Sequence, residues 1–316
     1  MRVAITTDTN SSILQEENKD IFVLPMPVII DGQTYFEGID ICSRALYAAM
    51  KQHKDISTSQ PSPGQIIEFW DRILDAGYDE VVFIPMSSGL SSTCYSAAQL
   101  AEDYGGKVQV IDNHRISVTQ RESVFAALQL AQQGYSAREI KTYLEERAYE
   151  ASIYITVDSM EYLKKGGRVT PAAAAIATVL NIKPVLTIQG DKLDTYAKAR
   201  GIRQAEATMI KAIHQDRATR FIDVPDSQLL IDTAGTIESD EAAQEWLQMV
   251  QGEFPDAVIS YYHLPCSIAC HVGMNSMAVT ITKKRGVTVV TPEDWSYRYN
   301  CRSFAGTAVR LSVIAA

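Results

Sequence analysis

The sequence predicts an α/β protein built from two α/β domains, the first an open parallel sheet with helices on both faces. Three observations carry this. Short β-branched runs alternate with helical segments through the first 150 residues, the rhythm of βαβ units. One run, Glu80-Val81-Val82-Phe83-Ile84-Pro85, is apolar without alternation, as a strand covered on both faces must be. After about residue 150 the order changes and a hairpin signal enters, which sets a boundary between residues 1–150 and 151–316.

The elements follow in order. Val3-Ala4-Ile5-Thr6-Thr7 reads as a strand leading into Asp8 and a polar loop. Residues 22–30 read as extended, with Pro25 and Pro27 arguing for an edge or irregular strand. A helix is expected over 43–54 with Ser43 as N-cap, and another over 65–76, opened by Ser62-Pro63-Gly64 and closed by Gly77. Strand 80–85, a helix over 96–104, a strand over 108–112 and helices over 116–133 and 137–150 complete the first half.

In the second half, 152–157 is a strand, 160–165 a helical turn and 172–180 an alanine-rich helix. Runs 184–188 and 192–196 flank Gln189-Gly190-Asp191 as a hairpin. A helix over 203–215, a strand over 228–233, a helix over 239–252 and strands over 257–263 and 276–282 follow. Residues 285–316 form an extension without a clear place in the fold.

Composition narrows the function. At 46% hydrophobic and 21% charged, the chain can build a core and is too apolar for disorder. A net charge of −9 repels phosphate backbones, so nucleic acid is not an expected ligand. No run approaches the roughly 20 apolar residues of a membrane span, so stable membrane insertion is not expected. The chain opens without a signal-like stretch, and five cysteines, an odd number, do not suggest a disulfide framework. A cytoplasmic protein is the expectation.

Two serine-rich loops could carry chemistry: Ser57-Thr58-Ser59-Gln60-Pro61-Ser62-Pro63-Gly64 and Ser87-Ser88-Gly89-Leu90-Ser91-Ser92-Thr93. The second leaves an apolar strand and enters a helix, where α/β sheets bind ligands and free N–H groups favour anions. Neither contains a phosphate-binding Gly-Lys signature, so hydroxyl donors alone suit a carboxylate. Helix capping explains serines there equally well. His271 could add a donor, or serve only as a structural hydrogen-bonder.

Rival readings remain. His263, Cys266, Cys270 and His271 have zinc-ligand chemistry but no second pair at ligand spacing, so no metal is expected. Ser88 or Ser91 with His271 and Asp8 or Asp112 could make a Ser/His hydrolase acting on acyl esters or acyl phosphates, yet no nucleophile elbow is present. Lys164, Lys165 and Arg168, with Lys198, Arg200 and Arg203 downstream, form basic clusters on an acidic chain: a solvated turn, or a docking patch.

These motifs fall in an order that resembles one family. The loop 58–64, Ser87-Ser88-Gly89-Leu90-Ser91, Ile111-Asp112, Tyr162 to Val169, Asn181 to Leu186 and His271-Val272-Gly273 are similar to those of the DegV fatty-acid-binding proteins over residues 1 to about 284. The resemblance implies two α/β domains with a long-chain fatty acid, palmitate-like or eighteen-carbon, between them. It implies a carboxylate held by Thr58, Ser59, Ser91, Ser92 and His271, with no other cofactor. It further implies a binding protein rather than an enzyme, one that presents its lipid to a fatty acid kinase for acyl-phosphate formation in phospholipid metabolism. Lys164, Lys165, Arg168 and Arg200 would then form the partner-docking surface. Beside the hydrolase, a regulatory lipid sensor without any kinase partner is a further alternative. The chain departs from the family pattern at Ser92 (usually Gly), at Asn113-His114, and at Met274-Asn275 (usually Pro-Gly).

Overall fold

The computed structural model describes residues 1–176, 182–190 and 192–284. The first half opens with β1 (Val3–Asp8), a 3-10 turn at Thr9–Ser11, and β2 (Ile21–Leu24). The chain then makes β3 (Pro27–Ile30), β4 (Gln33–Phe36), α1 (Ser43–Lys51) and β5 (Ile56–Thr58). It continues through α2 (Pro63–Asp75), β6 (Glu80–Ile84), α3 (Thr93–Ala101), β7 (Val108–Val110), α4 (Ser117–Gln132) and α5 (Ala137–Glu146).

Strands β2-β1-β6-β7 form a parallel sheet. Its side chains alternate between two cores, as the two-residue period of a strand requires. Ala4, Val81 and Phe83 pack with Trp70 and Ile66 of α2 and Ala97 of α3. Ile5, Val82 and Ile84 pack on the other face with Val124 and Leu130 of α4 and Ile140 and Leu144 of α5. The expected open sheet, helix-covered on both faces, is therefore present.

The run 22–30 is two strands, broken at Pro25-Met26. The first is an edge of the parallel sheet; the second starts a separate antiparallel sheet, β4-β3-β5. Cys42, not Ser43, occupies the N-cap of α1. Ser62 caps α2 in a reciprocal capping box with Gln65, and Pro63 fills the first turn.

The second half comprises β8 (Ala151–Thr156), α6 (Glu161–Gly166), α7 (Pro171–Ile176), β9 (Ile182–Ile188), β10 (Asp194–Arg200) and α8 (Ile202–Ala218). It closes with β11 (Leu229–Gly235), α9 (Asp240–Glu253), β12 (Tyr261–His263), α10 (Cys266–Val272) and β13 (Met277–Lys283). The sheet order is β10-β9-β8-β13-β11-β12, antiparallel except for β11 with β12. The expected hairpin is the β9–β10 pair. The far end of the expected alanine-rich helix and the extension 285–316 lie outside the described residues. Among the described residues, no helix is long and apolar enough to cross a membrane.

One face of this sheet carries α8 and α9, packing Tyr154, Ile231 and Val279 with Met209, Ile213 and Trp246. The other face, with Ile153, Ile155, Leu186 and Ala278, meets Met26, Met86, Leu90 and Ile116 from the first half. Helix α10 occupies the interval between the strands expected over 257–263 and 276–282, where the sequence predicts no element. It has two working faces. Cys266, Ala269 and Cys270 pack with Val28, Leu46 and Met50 of the small sheet and α1, while Ile268 and Val272 join the core between the halves.

Candidate functional site

A cavity lies where the two halves meet, with about 770 Å³ of free space, mouth included. Its body is apolar: Met26, Met86, Leu90, Ile116, Ile153, Ile155, Leu163, Ile188, Leu193, Leu264 and Ile268. Thr58, Arg168 and His271 are among the few polar side chains on its wall.

Thr58 ends β5, held opposite Val28 of β3. His271 stands in the last turn of α10. Their side chains meet, with Thr58 Oγ1 and His271 Nε2 2.8 Å apart. The other ring nitrogen, Nδ1, is buried without a hydrogen-bond partner. Burial, and then the Arg168 charge, push the imidazole down to about 4, so the ring is neutral at pH 7. The ring lies hard against α6: a Cβ on Gly166 would come within 2.2 Å of Nδ1.

Arg168 follows α6. Its guanidinium donates from Nε to the Leu90 carbonyl at 3.1 Å, and from Nη1 to the Gly166 carbonyl. Among the described residues it forms no ion pair, so its charge is uncompensated at the cavity wall. A neutral imidazole, a hydroxyl and an unpaired guanidinium form a donor set suited to one carboxylate.

The other expected carboxylate ligands stand differently. Ser91 Oγ accepts from the Thr93 N–H at 3.2 Å and lies 2.9 Å from Thr93 Oγ1, so it is engaged with the first residue of α3. Ser59 and Ser92 are exposed. None of these three lines the cavity. Ser87 is buried and donates to the Gly190 carbonyl of the β9–β10 turn. Lys164, Lys165 and Arg200 are exposed, Lys165 pairing with Asp55. Arg168, expected with them on a docking surface, is partly buried and faces the cavity.

The loop after α10 turns at Asn275. Asn275 has φ +57°, a left-handed conformation that asparagine tolerates better than most residues. Its N–H bonds the Thr236 carbonyl, and Thr236 Oγ1 donates to the Gly273 carbonyl at 2.7 Å.

The parts of a hydrolase do not converge. The Nε2 contact of His271 is with Thr58, and no carboxylate orients Nδ1. Asp8 accepts from the Met86 and Asn10 N–H groups, and Asp112 from those of Ser88 and His114. Among the described residues, no cluster of His, Cys, Asp and Glu could hold a metal.

Sequence reasoning missed the wall itself. Its apolar residues come from many elements and carry no motif. The polar exceptions Asn10, Ser117, Ser267 and Thr280 also went unnoticed; a run of polar residues straight after a buried strand, at 8–12, was the available signal.

Comparison with known proteins gives a consistent picture. The family described as "Uncharacterised protein, DegV family" matches residues 2–284. A DegV domain-containing protein of Deinococcus radiodurans is 33% identical over 218 residues, 68% of this chain and 77% of that one. Another, from Listeria monocytogenes, is 26% identical over 88% of this chain and 98% of its own. Among solved structures, a fatty-acid-binding DegV family protein of Thermus thermophilus superposes with a TM-score of 0.78 at 25% identity, covering 90% of this chain and all of that one. The fatty acid binding DegV family protein of Streptococcus agalactiae gives 0.79 at the same identity and coverage.

Proposed function

Because this chain belongs to the DegV family, we propose that it binds one long-chain fatty acid, holds the carboxylate at the polar end of the cavity, and presents it to a fatty acid kinase. The observation that carries the reading is the cavity: an apolar body with Thr58, His271 and Arg168 on its wall. Each buried CH₂ contributes about 0.8 kcal/mol, offset in part by ordering the chain. The tail therefore supplies affinity and the head supplies orientation.

In this reading the protein is cytoplasmic, works as a carrier and not as an enzyme, and divides near residue 150. Ser59, Ser91 and Ser92 belong to the loops that frame the headgroup, with Ser91 reaching the carboxylate after exchanging its bond to Thr93. Lys164, Lys165 and Arg200 offer the kinase a basic surface, and Arg168 links that surface to the carboxylate.

Calorimetric titration of lipid-free protein with palmitate and with hexadecanol tests the headgroup. Palmitate should bind at one per chain and the alcohol more weakly. Equal affinity would remove the carboxylate from the account.

A further inference from the structure

The cavity has a second polar point, one turn of α10 away from the headgroup site. Ser267 and His271 are four residues apart on α10, roughly 6 Å along the axis, and both line the cavity. Ser267 Oγ lies 2.8 Å from Asn10 Oδ1. Asn10 is 1% exposed, lines the cavity, and its Nδ2 has no hydrogen-bond partner. The amide lies beside the Asp8 carboxylate, near enough to favour its charged form, without completing a hydrogen bond from Nδ2. The Asp8 oxygens are taken by the Met86 and Asn10 N–H groups and Gln120.

A buried amide left without a partner costs stability. On a cavity wall whose body is apolar, that cost marks where a ligand atom belongs. The amide orientation does not alter the conclusion. With Nδ2 free it offers a donor. With the amide turned, Nδ2 would meet Ser267, whose hydroxyl is 3.5 Å from Glu37 Oε2, and the free atom would be an acceptor. A hydroxyl is both donor and acceptor, so it satisfies either arrangement; a plain methylene satisfies neither.

We propose that Asn10, anchored by Ser267, is a specificity-determining residue that favours a hydroxylated fatty acid, with the hydroxyl in the carboxyl-proximal half of the chain. This rests on the fatty-acid reading above and narrows its ligand class.

The test is competition binding of palmitate against a positional series of monohydroxypalmitates, on lipid-free wild type, Asn10→Leu and Ser267→Ala. At least one carboxyl-proximal isomer should bind wild type about two- to tenfold tighter than palmitate, the worth of one neutral hydrogen bond. That ratio should fall to about one or below in Asn10→Leu, and fall part of the way in Ser267→Ala. The serine variant serves alone if the leucine variant does not fold. If palmitate binds and every isomer binds no better, the inference is wrong and the fatty-acid reading stands. A preference that persists in both variants, each melting as wild type, also overturns it. If neither palmitate nor any isomer binds, both readings fall together.

Discussion

At the scale of single residues, the Thr58–His271 contact is where the proposed headgroup site is most directly tested. Thr58→Val removes a hydroxyl and keeps the shape, so it should weaken palmitate binding by about 1.5–3 kcal/mol, the worth of a hydrogen bond to a charged group. Fluorescent fatty-acid displacement measures it, and unchanged affinity would exclude Thr58 from the headgroup site. His271 gives a pH signature. Its imidazole titrates at about 4 in the fold against an ordinary 6.5. As pH falls through 6.5 the unfolded chain takes the proton first, so stability is lost between about 6.5 and 4. Thermal melts at pH 7 and pH 5 should show wild type losing more than His271→Gln; parallel losses would mean the ring titrates normally. A base this weak, with no carboxylate behind it, is also poorly matched to general-base work at neutral pH. The chain should not hydrolyse p-nitrophenyl acyl esters above a His271→Ala background. Of these residues, Thr58 and His271 were legible because their motifs are local and ordered. Arg168 was legible only as a charge: whether it points outward or into the cavity depends on the Leu90 and Gly166 carbonyls that receive it, and they are fixed only by the fold.

At the scale of elements, α6 and α10 position the site by close approach. A methyl on Gly166 would stand 2.2 Å from His271 Nδ1, and the ring is hemmed in by burial. Gly166→Ala should therefore destabilise the fold by about 1–3 kcal/mol, the usual range for overpacking, and weaken palmitate binding together with it. Denaturant unfolding alongside a titration checks both; a variant that melts and binds as wild type would mean the ring can step aside freely. Strands of the parallel sheet were readable because their apolar runs are covered on both faces by helices. Helix α10 was not. Its sequence, Cys266-Ser267-Ile268-Ala269-Cys270-His271-Val272, is short and mostly small or β-branched, and it owes its helical state to packing against two surfaces at once. Tertiary burial outweighs such weak local propensity. The three-stranded sheet was missed for a related reason: Gln33–Phe36 and Ile56–Thr58 are too short to show a period.

At the scale of the whole molecule, the cavity is a property of assembly. Its wall draws on β8, β9 and β13 of the large sheet, on α10, and on loops of the first half. An apolar cavity between packed elements is a stability defect when unfilled, so filling it should hold the halves together. Binding to the folded state alone adds about 2.7 kcal/mol at a hundredfold ligand excess over Kd. Stripping the lipid should thus lower the melting temperature by several degrees, and palmitate should restore it. The measurement closest to the central claim is a native mass spectrum of protein purified without detergent. The account predicts the chain plus the mass of one fatty acid, released by organic solvent. A bare chain that also takes up no palmitate or stearate would contradict it.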